Sequence, residues 1–353
     1  VSMINLFVFS NSSDMTELEK VTAYGNIYLY SLIVPIISVS GIFLSYFNQQ
    51  KRYKLLISNG INPVKAANII FNIPEVTKPN LLIIIGSIFF VIFTLLVGTS
   101  KMALSQEIVF VGSFMIILFL LFKLSNELDA NAKKMLIGTA IIIFVFRAMP
   151  GVGQGGSWFE IDVLGFDQEF LSLLGLIASF LTILGIFVLR PLMEKSSMTR
   201  LIVILSIAGS FFILPSIAMF YGFHEFTSKL TNGLVDARFI AIFNTALESP
   251  LGQVSMIPIL AWIAQSAPNH LKATFFAVLA SFTNLALSAS NLGTKYLNQI
   301  YVITREVKND LGIIKTPADY SELGILLIIV CALTLIIPIL VTYIVKKLKL
   351  LSY

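Results

Sequence analysis

Ionisable and amide side chains lie inside segments that are otherwise apolar enough to cross a membrane. Glu248 is part of FNTALESPLGQVSMIPILAWIA, and Asn244 precedes it by one helical turn on the same face. Arg147 ends the run AIIIFVFR and is followed by AMPGVGQGG, which contains Gln154. Charged groups in a bilayer are costly, so such side chains usually face a polar cavity or pair with one another. These residue types predict anion binding by a guanidinium and acceptance of N–H groups or protons by a carboxylate.

The positions of three polar side chains within their apolar runs predict a shared depth. Arg147, Glu248 and Asn284 lie 13, 11 and 13 residues after positions 134, 237 and 271, where their runs begin. A helix rises about 1.5 Å per residue, so the middle of a 25-residue span lies about 12 residues from its start. The three side chains are therefore expected near the midplane, at one depth, where a shared polar cavity would accommodate them.

Arg147 and Gln154 flank a predicted break in their helix. Pro150 and four nearby glycines should interrupt or unwind it. Backbone groups freed at this depth are tolerated only beside a cavity or against other protein segments. Arg147 with Gln154 is predicted to bind a ligand carboxylate through bidentate hydrogen bonds. The alternative is an internal ion pair between Arg147 and Glu248.

Glu248 has two functional interpretations. Its two oxygens can accept hydrogen bonds from amine and N–H groups of a bound ligand, with Asn244 one turn away. Alternatively, it is a proton-coupling group that titrates as a cavity opens to either side. A buried ion pair or a capped acid without a role in transport remains the structural alternative.

A polar stripe is predicted on the run at 271–296. Its members are spaced three or four residues apart, which places them on one helical face. They are Ser281, Asn284, Ser288, Asn291 and Lys295. Asn284 and Asn291 are the predicted binding residues, the serines are predicted packing contacts, and Lys295 is expected only to extend to the outer interface. Close packing is also predicted for a small-residue stripe that includes Thr182 and Gly185.

Composition identifies the chain as an integral membrane protein. Its 353 residues are 57% hydrophobic and 12% charged, whereas soluble domains carry about 25% charged residues. Nine apolar runs fit membrane-crossing helices, so the predicted fold is an all-α polytopic bundle. The runs are 24–47, 81–98, 107–123, 134–158, 167–191, 200–223, 237–263, 271–296 and 321–345. The single Cys331 excludes an intrachain disulfide, and the distant His224 and His270 indicate no zinc site or other metal centre.

The basic residues are distributed unevenly between alternate loops. Fifteen of the 24 Lys and Arg residues fall on one side and eight on the other, which predicts a cytoplasmic C-terminus, an outside N-terminus and no nucleic-acid partner. The predicted organisation is an extracytoplasmic segment at 1–23, a partial bundle at 24–123, a cytoplasmic loop at 124–133 and a six-helix bundle at 134–353. Nine crossings and an initial Val suggest a product that lacks the first three helices of a twelve-helix carrier.

Three segments resemble the folate-biopterin transporter family of the major facilitator superfamily. FRAMPGVGQGGSWFEIDVLGFDQEFLSLLGLIASF is similar to the end of that family's seventh helix and its eighth helix. ALESPLGQVSMIPILAWIAQSAP and KATFFAVLASFTNLALSASNLGTKYLN are similar to its tenth and eleventh helices. The resemblance implies a major-facilitator-like bundle, monomeric and in the inner cell membrane. It further implies a secondary carrier, coupled to protons and without a cofactor, that moves folates, pterins or related metabolites.

Several other functions are compatible with a polytopic membrane protein. An intramembrane enzyme is not indicated, because the sequence has no HExxH, no paired-Asp motif, no Ser-His arrangement and no phosphate-binding loop. A channel is not indicated either, because no filter-like segment or ring-forming charge repeat is found. A non-transporting remnant of a carrier, or a major facilitator carrier for an unrelated metabolite, remains as an alternative.

Overall fold

The computed structural model describes most of the chain. The described residues are 2–9, 16–71, 81–100, 102, 104–252, 254–266, 272–309 and 313–350. Two compact units are distinguished: Val1–Asn80 with Asp167–Leu176, and Leu81–Phe166 with Ile177–Tyr353. Residue 1 and residues 10–15 of the predicted segment 1–23 lie outside the described residues. The predicted domain boundaries stay a prediction.

The first part of the chain forms four helices: α1 (Ser2–Val8), α2 (Glu17–Ser31), α3 (Ile33–Ser58) and α4 (Pro63–Phe71). The start of α2 carries a capping box, in which the side chains of Thr16 and Glu19 accept each other's backbone N–H groups. The predicted span 24–47 is helical, and the helix continues beyond it to Ser58. Lys, Arg and Leu are good helix formers, and the chain turns only at Gly60, whose φ is 81°.

The remainder of the chain is almost entirely helical. In order, its elements are α5 (Leu81–Gly98), α6 (Ser105–Ser125), α7 (Ala130–Arg147), α8 (Gln154–Asp162), α9 (Gln168–Val188), α10 (Arg190–Lys195), α11 (Met198–Phe220), α12 (Phe223–Leu230), α13 (Ala237–Glu248), a 3₁₀ turn (Ser249–Leu251), α14 (Met256–Ser266), α15 (Lys272–Ile300), β1 (Val307–Lys308), β2 (Ile314–Thr316) and α16 (Leu323–Lys347). The prediction of an all-α polytopic protein is confirmed.

Six helical segments among the described residues are long and apolar enough to cross a membrane. They are Val21–Ser58, Ser105–Ser125, Gln168–Val188, Met198–Phe220, Thr274–Ile300 and Leu323–Lys347. A seventh predicted span contains the shorter apolar helix Ile84–Gly98. The other two predicted spans, 134–158 and 237–263, contain the interrupted pairs α7–α8 and α13–α14.

Both interruptions coincide with prolines. Helix α7 stops at Arg147 and α8 begins at Gln154, so Pro150 and its glycines lie in the break. Helix α13 stops at Glu248, and the 3₁₀ turn that contains Pro250 leads towards α14. Proline lacks the N–H that an interior helical position donates. The break predicted at Pro150 is therefore confirmed, and a second break lies at Pro250.

The apolar core of the second unit joins α6, α7, α11, α14, α15 and α16. Ile143, Ile263, Phe275 and Leu279 are fully buried in its main cluster. Helices α11 and α16 also pair through small residues: Ser210 Oγ donates to the Cys331 carbonyl oxygen at 3.2 Å. Small side chains allow two helix backbones to approach closely, which is how helices associate in a bilayer.

A polar cap covers the end of α8 beyond its predicted span. The Arg305 guanidinium donates two hydrogen bonds to the Asp162 carboxylate, at 2.8 and 2.7 Å, and Tyr320 Oη donates a third at 2.7 Å. Arg305 holds the pKa of Asp162 below its ordinary value, and burial, with the bond to Asp162, raises the pKa of Tyr320 to about 12. The adjoining antiparallel pair β1–β2 was not predicted from the sequence.

Candidate functional site

The break between α7 and α8 is held by side chains of α15. Ser290 Oγ donates to the Met149 carbonyl oxygen at 2.6 Å, and the Gly151 N–H donates to Thr294 Oγ1 at 2.9 Å. Asn298 Nδ2 donates to the Val152 carbonyl oxygen at 3.1 Å. Polar side chains thereby satisfy backbone groups that a continuous helix would have paired internally, as membrane depth requires.

Sequence reasoning missed these three α15 residues. Ser290, Thr294 and Asn298 recur every four residues, so they form a second polar face beside the stripe that contains Asn291 and Lys295. The signal that could have identified them is this four-residue repeat opposite a glycine-rich break. The two faces of α15 differ in their contacts. The face with Ser290, Thr294 and Asn298 binds the broken backbone of the α7–α8 segment, and the face with Asn291 is exposed.

Gly153 has two separate reasons to be glycine. Its φ is 79°, in the left-handed region that side chains disfavour. A Cβ there would also lie 2.9 Å from Asn298 Nδ2 and 3.2 Å from Thr294 Cγ2. Asn298 is held by hydrogen bonds to the Val152 and Thr294 carbonyl oxygens, so it cannot move away freely. The close contact of α8 and α15 therefore depends on this position.

A cavity of about 860 Å³ lies beside this contact, between α6, the start of α8 and α15. Its polar lining comes from four amides, a lysine, two serines and a threonine. The lining residues are Gln106, Val109, Phe110, Ser113, Gly153, Gln154, Leu285, Ser288, Asn291, Leu292, Thr294, Lys295 and Asn298. Cavities of this size bury much of a drug-sized molecule, and a few convergent polar groups fix its orientation. The cavity is the strongest candidate binding site among the described residues.

Two of the six predicted binding residues line this cavity. Gln154 is the first residue of α8 and Asn291 lies on the exposed face of α15. Asn284 is exposed on the same stripe, about two turns before Asn291, and does not line the cavity. Ser288, predicted to be a packing residue, lines the cavity with Asn291. The predicted stripe is thus one exposed face of the helix.

Arg147 lies at the break but outside the cavity lining. It is half-buried, and its Nη1 group donates to Met256 Sδ at 3.5 Å. Its Nε group is buried and has no hydrogen-bond partner among the described residues. A buried guanidinium donor without an oxygen acceptor is unfavourable. An anionic or carbonyl oxygen at this position would satisfy it.

Asn244 and Glu248 lie on α13 and do not line the cavity. Asn244 is half-buried, whereas Glu248, the last residue of α13, is exposed. Within the described part of the chain, Arg147 and Glu248 form no ion pair, and Glu248 makes no hydrogen bond through its carboxylate. The structure therefore does not bring Arg147, Asn244 and Glu248 together with Gln154 and Asn291 around one cavity.

The register of α7 against α15 agrees with a shared depth for Arg147 and Asn284. The rings of Phe144 and Phe282 lie 5.0 Å apart, centroid to centroid. Further along, Met149 is bound by Ser290. The two helices thus run in the same direction, and Arg147 and Asn284 both lie between these two contacts.

Lys295 was expected only to extend to the outer interface, but in the structure it forms an ion pair. Its Nζ group lies 2.7 Å from Glu107 Oε1, and Tyr296 Oη donates to the same oxygen at 2.9 Å. Glu107 is on α6, so the ion pair joins α6 to α15 at the edge of the cavity. The sequence could not pair residues that are 188 positions apart.

Helix α9 lies close against the 3₁₀ turn at the second break. Thr182 Oγ1 donates to the Ser249 carbonyl oxygen at 2.9 Å, and a Cβ at Gly185 would collide with backbone atoms of Pro250. The packing role predicted for Thr182 and Gly185 is confirmed. Among the described residues, no group of three or more His, Cys, Asp or Glu side chains could hold a metal ion.

The apolar helices, their proline breaks and the polar cavity define a polytopic α-helical membrane protein. Residues 121–352 match the sequence model of the BT1 family. The chain therefore belongs to the BT1 family, as the resemblance in the sequence indicated.

One curated relative carries a functional name. The Folate-biopterin transporter of Synechocystis sp. is 21% identical over 154 residues. This match covers 44% of the present chain and 30% of the relative, so the chain spans less than a third of the length of that protein. No solved structure matches the chain.

Proposed function

We propose that the protein is a secondary active transporter for folate, pterin or a related small metabolite, and not an enzyme. The observation that carries the proposal is the polar cavity of about 860 Å³ beside the broken α7–α8 helix in a chain of the BT1 family. A cavity wall built on an interrupted helix is the usual form of a transporter binding site. The printed name of the Synechocystis relative supports the substrate class.

The six predicted ligand-binding residues have different roles in this proposal. Gln154 and Asn291 bind the ligand inside the cavity, where amide groups can donate and accept hydrogen bonds. Arg147 binds a carboxylate such as the glutamyl tail of folate, which is supported by its buried and unpartnered Nε group. Asn244, Glu248 and Asn284 join the ligand only in another conformation, because they lie outside this cavity.

The proposal includes coupling to protons by alternating access in a major-facilitator-like bundle. Glu248 is the coupling group, supported by its position within an apolar span and the lack of an ion pair with Arg147 in the described structure. We further propose a monomer in the inner cell membrane with a cytoplasmic C-terminus.

The direct test is uptake by proteoliposomes that contain the purified chain. An inward proton gradient is expected to drive uptake of radiolabelled folate or biopterin above the level of empty liposomes. A protonophore should abolish the difference, because it removes the driving force. Uptake that never exceeds that of empty liposomes, with correctly inserted protein, would count against transport by this chain.

The proposed orientation predicts which loops an impermeant thiol reagent can reach. In a Cys331→Ser background, Lys315→Cys on the predicted outer side should label in intact cells. Asn131→Cys, within the predicted cytoplasmic loop at 124–133, should label only after permeabilisation. Both native side chains are exposed, so burial does not explain a difference. The reverse labelling pattern would reject the orientation.

A further inference from the structure

In the ion pair between Glu107 and Lys295, only one of the two carboxylate oxygens of Glu107 has hydrogen-bond partners within the described part of the chain. Lys295 Nζ and Tyr296 Oη both bind Oε1 of Glu107, at 2.7 and 2.9 Å. The other oxygen, Oε2, is buried and has no hydrogen-bond partner among the described residues. An ionised carboxylate can accept about four hydrogen bonds. Glu107 is therefore held through one oxygen while burial deprives the other of water.

Lys295 differs from Glu107 in facing the cavity. It is the one charged residue in the cavity lining that the structure describes, and its neighbours there include Gln154, Asn291 and Asn298. Its side chain is 34% exposed, against 17% for Glu107. An ammonium group has three donors, so a ligand oxygen in the cavity can reach Lys295 while Glu107 still holds it from the α6 side.

We propose that Lys295 is an anion site at which a carboxylate of the ligand competes with Glu107. The inference rests on the proposed function for the identity of the natural ligand, but the site itself requires only a carboxylate. Partly exposed ion pairs are weak because solvent screens them and both side chains lose freedom. A ligand carboxylate that also receives amide hydrogen bonds from the cavity can therefore replace Glu107.

This exchange has a structural consequence. Glu107 is near the start of α6 and Lys295 is near the end of α15, so their pair connects the two helices at one end of the cavity. A bound carboxylate on Lys295 removes that connection. Occupancy of the site by an anionic ligand is thereby coupled to loosening of α6 against α15.

The site is separate from Arg147. Along α15, Lys295 lies five residues beyond Ser290, whereas Arg147 precedes the Met149 carbonyl that Ser290 binds. Arg147 also does not line the cavity. A ligand carboxylate on Lys295 is thus expected to remain when Arg147 is removed.

The test measures binding of glutarate, 4-aminobenzoyl-glutamate, folate and biopterin to the purified chain by calorimetry. Glu107→Gln removes the competing charge but keeps the side-chain size, so carboxylate probes should bind about three- to tenfold more tightly. Lys295→Met should weaken them about tenfold or more. Biopterin, which has no carboxylate, should change little in either variant.

The double variant separates competition from independent effects. In Lys295→Met, adding Glu107→Gln should give no further gain, because the charge for which the ligand competes has gone. Tyr296→Phe removes the donor that stays on Glu107 after a ligand has taken Lys295, so it should weaken carboxylate binding slightly without altering a charge. It also provides a test if Glu107→Gln does not fold. Glutarate binding should persist in Arg147→Ala.

The outcomes distinguish the two proposals. If glutarate binds in a Lys295-dependent manner but neither folate nor biopterin binds, the anion site stands and the proposed substrate class fails. If folate and biopterin bind but Glu107→Gln leaves carboxylate affinity unchanged or lower and Tyr296→Phe does not lower it, the competition is refuted. Equal losses for glutarate and biopterin in Lys295→Met would make the pair structural, and no carboxylate binding to any variant would also overturn the anion site.

Discussion

Replacing Glu248 with glutamine is expected to abolish proton-driven uptake while the protein remains inserted and folded. Glutamine matches the size of glutamate and keeps one acceptor oxygen, but it cannot take up and release a proton in the working pH range. The measurement is uptake of labelled folate into proteoliposomes under an imposed proton gradient, normalised to the amount of inserted protein.

The described structure gives this experiment a specific expectation for stability. Breaking a buried ion pair typically costs about 3–5 kcal/mol, but Glu248 is exposed and forms no ion pair with Arg147 in the described part of the chain. The thermal unfolding temperature of Glu248→Gln should therefore be close to that of the wild type. Glu225→Gln is the matched control, since Glu225 is an exposed glutamate on α12, outside the predicted spans. Normal proton-driven uptake by Glu248→Gln would remove this residue from the mechanism.

Replacing Arg147 with alanine is expected to weaken folate binding by about one to two orders of magnitude. A hydrogen bond to a charged group contributes about 1.5–3 kcal/mol, and each 1.4 kcal/mol corresponds to about tenfold in affinity. Biopterin lacks the glutamyl tail, so its affinity should fall far less. Competition binding of both ligands to the purified chain measures the difference.

Two further variants identify the origin of the effect. Arg147→Lys keeps the positive charge but loses the planar fork of donors, so it should recover only part of the affinity for folate. Arg200→Ala removes an exposed arginine at the start of α11 and should change neither ligand. Equal losses of folate and biopterin in Arg147→Ala would indicate a structural role at the Met256 contact instead of a carboxylate site.

Some features of the candidate site could be predicted because they depend on local chemistry. Pro150 removes an N–H and the neighbouring glycines disfavour a helix, so the break after Arg147 was predictable from the sequence. The spacing of Asn284, Asn291 and Lys295 placed them on one face of α15 by helical geometry alone. The depth of each polar side chain in the membrane could likewise be predicted by counting residues along its helix, which rises by a constant amount per residue.

The contacts that join α15 to α6 and to the α7–α8 break could not be predicted in the same way. Glu107 and Lys295 meet because α6 packs on α15, and no local pattern in either helix specifies that neighbour. Ser290, Thr294 and Asn298 acquire their task only when the α7–α8 break is set against them. Conversely, Glu248 and Arg147 were expected to meet because their positions along their apolar runs give a similar depth in the membrane. Position along a run does not give the direction in which each side chain points.

The sequence by itself determined the membrane, the apolar spans and the break at Pro150, and it indicated the BT1 relationship through segments in α7–α9 and α13–α15. These depend on apolar length, on proline and glycine, and on short-range order, all of which act along the chain. Only the tertiary structure decided which polar groups share a cavity and which satisfy a broken backbone. The reason is physical: in a bilayer every buried donor and acceptor must find a partner, and the partner is selected by which helix packs alongside, not by which residue follows in sequence.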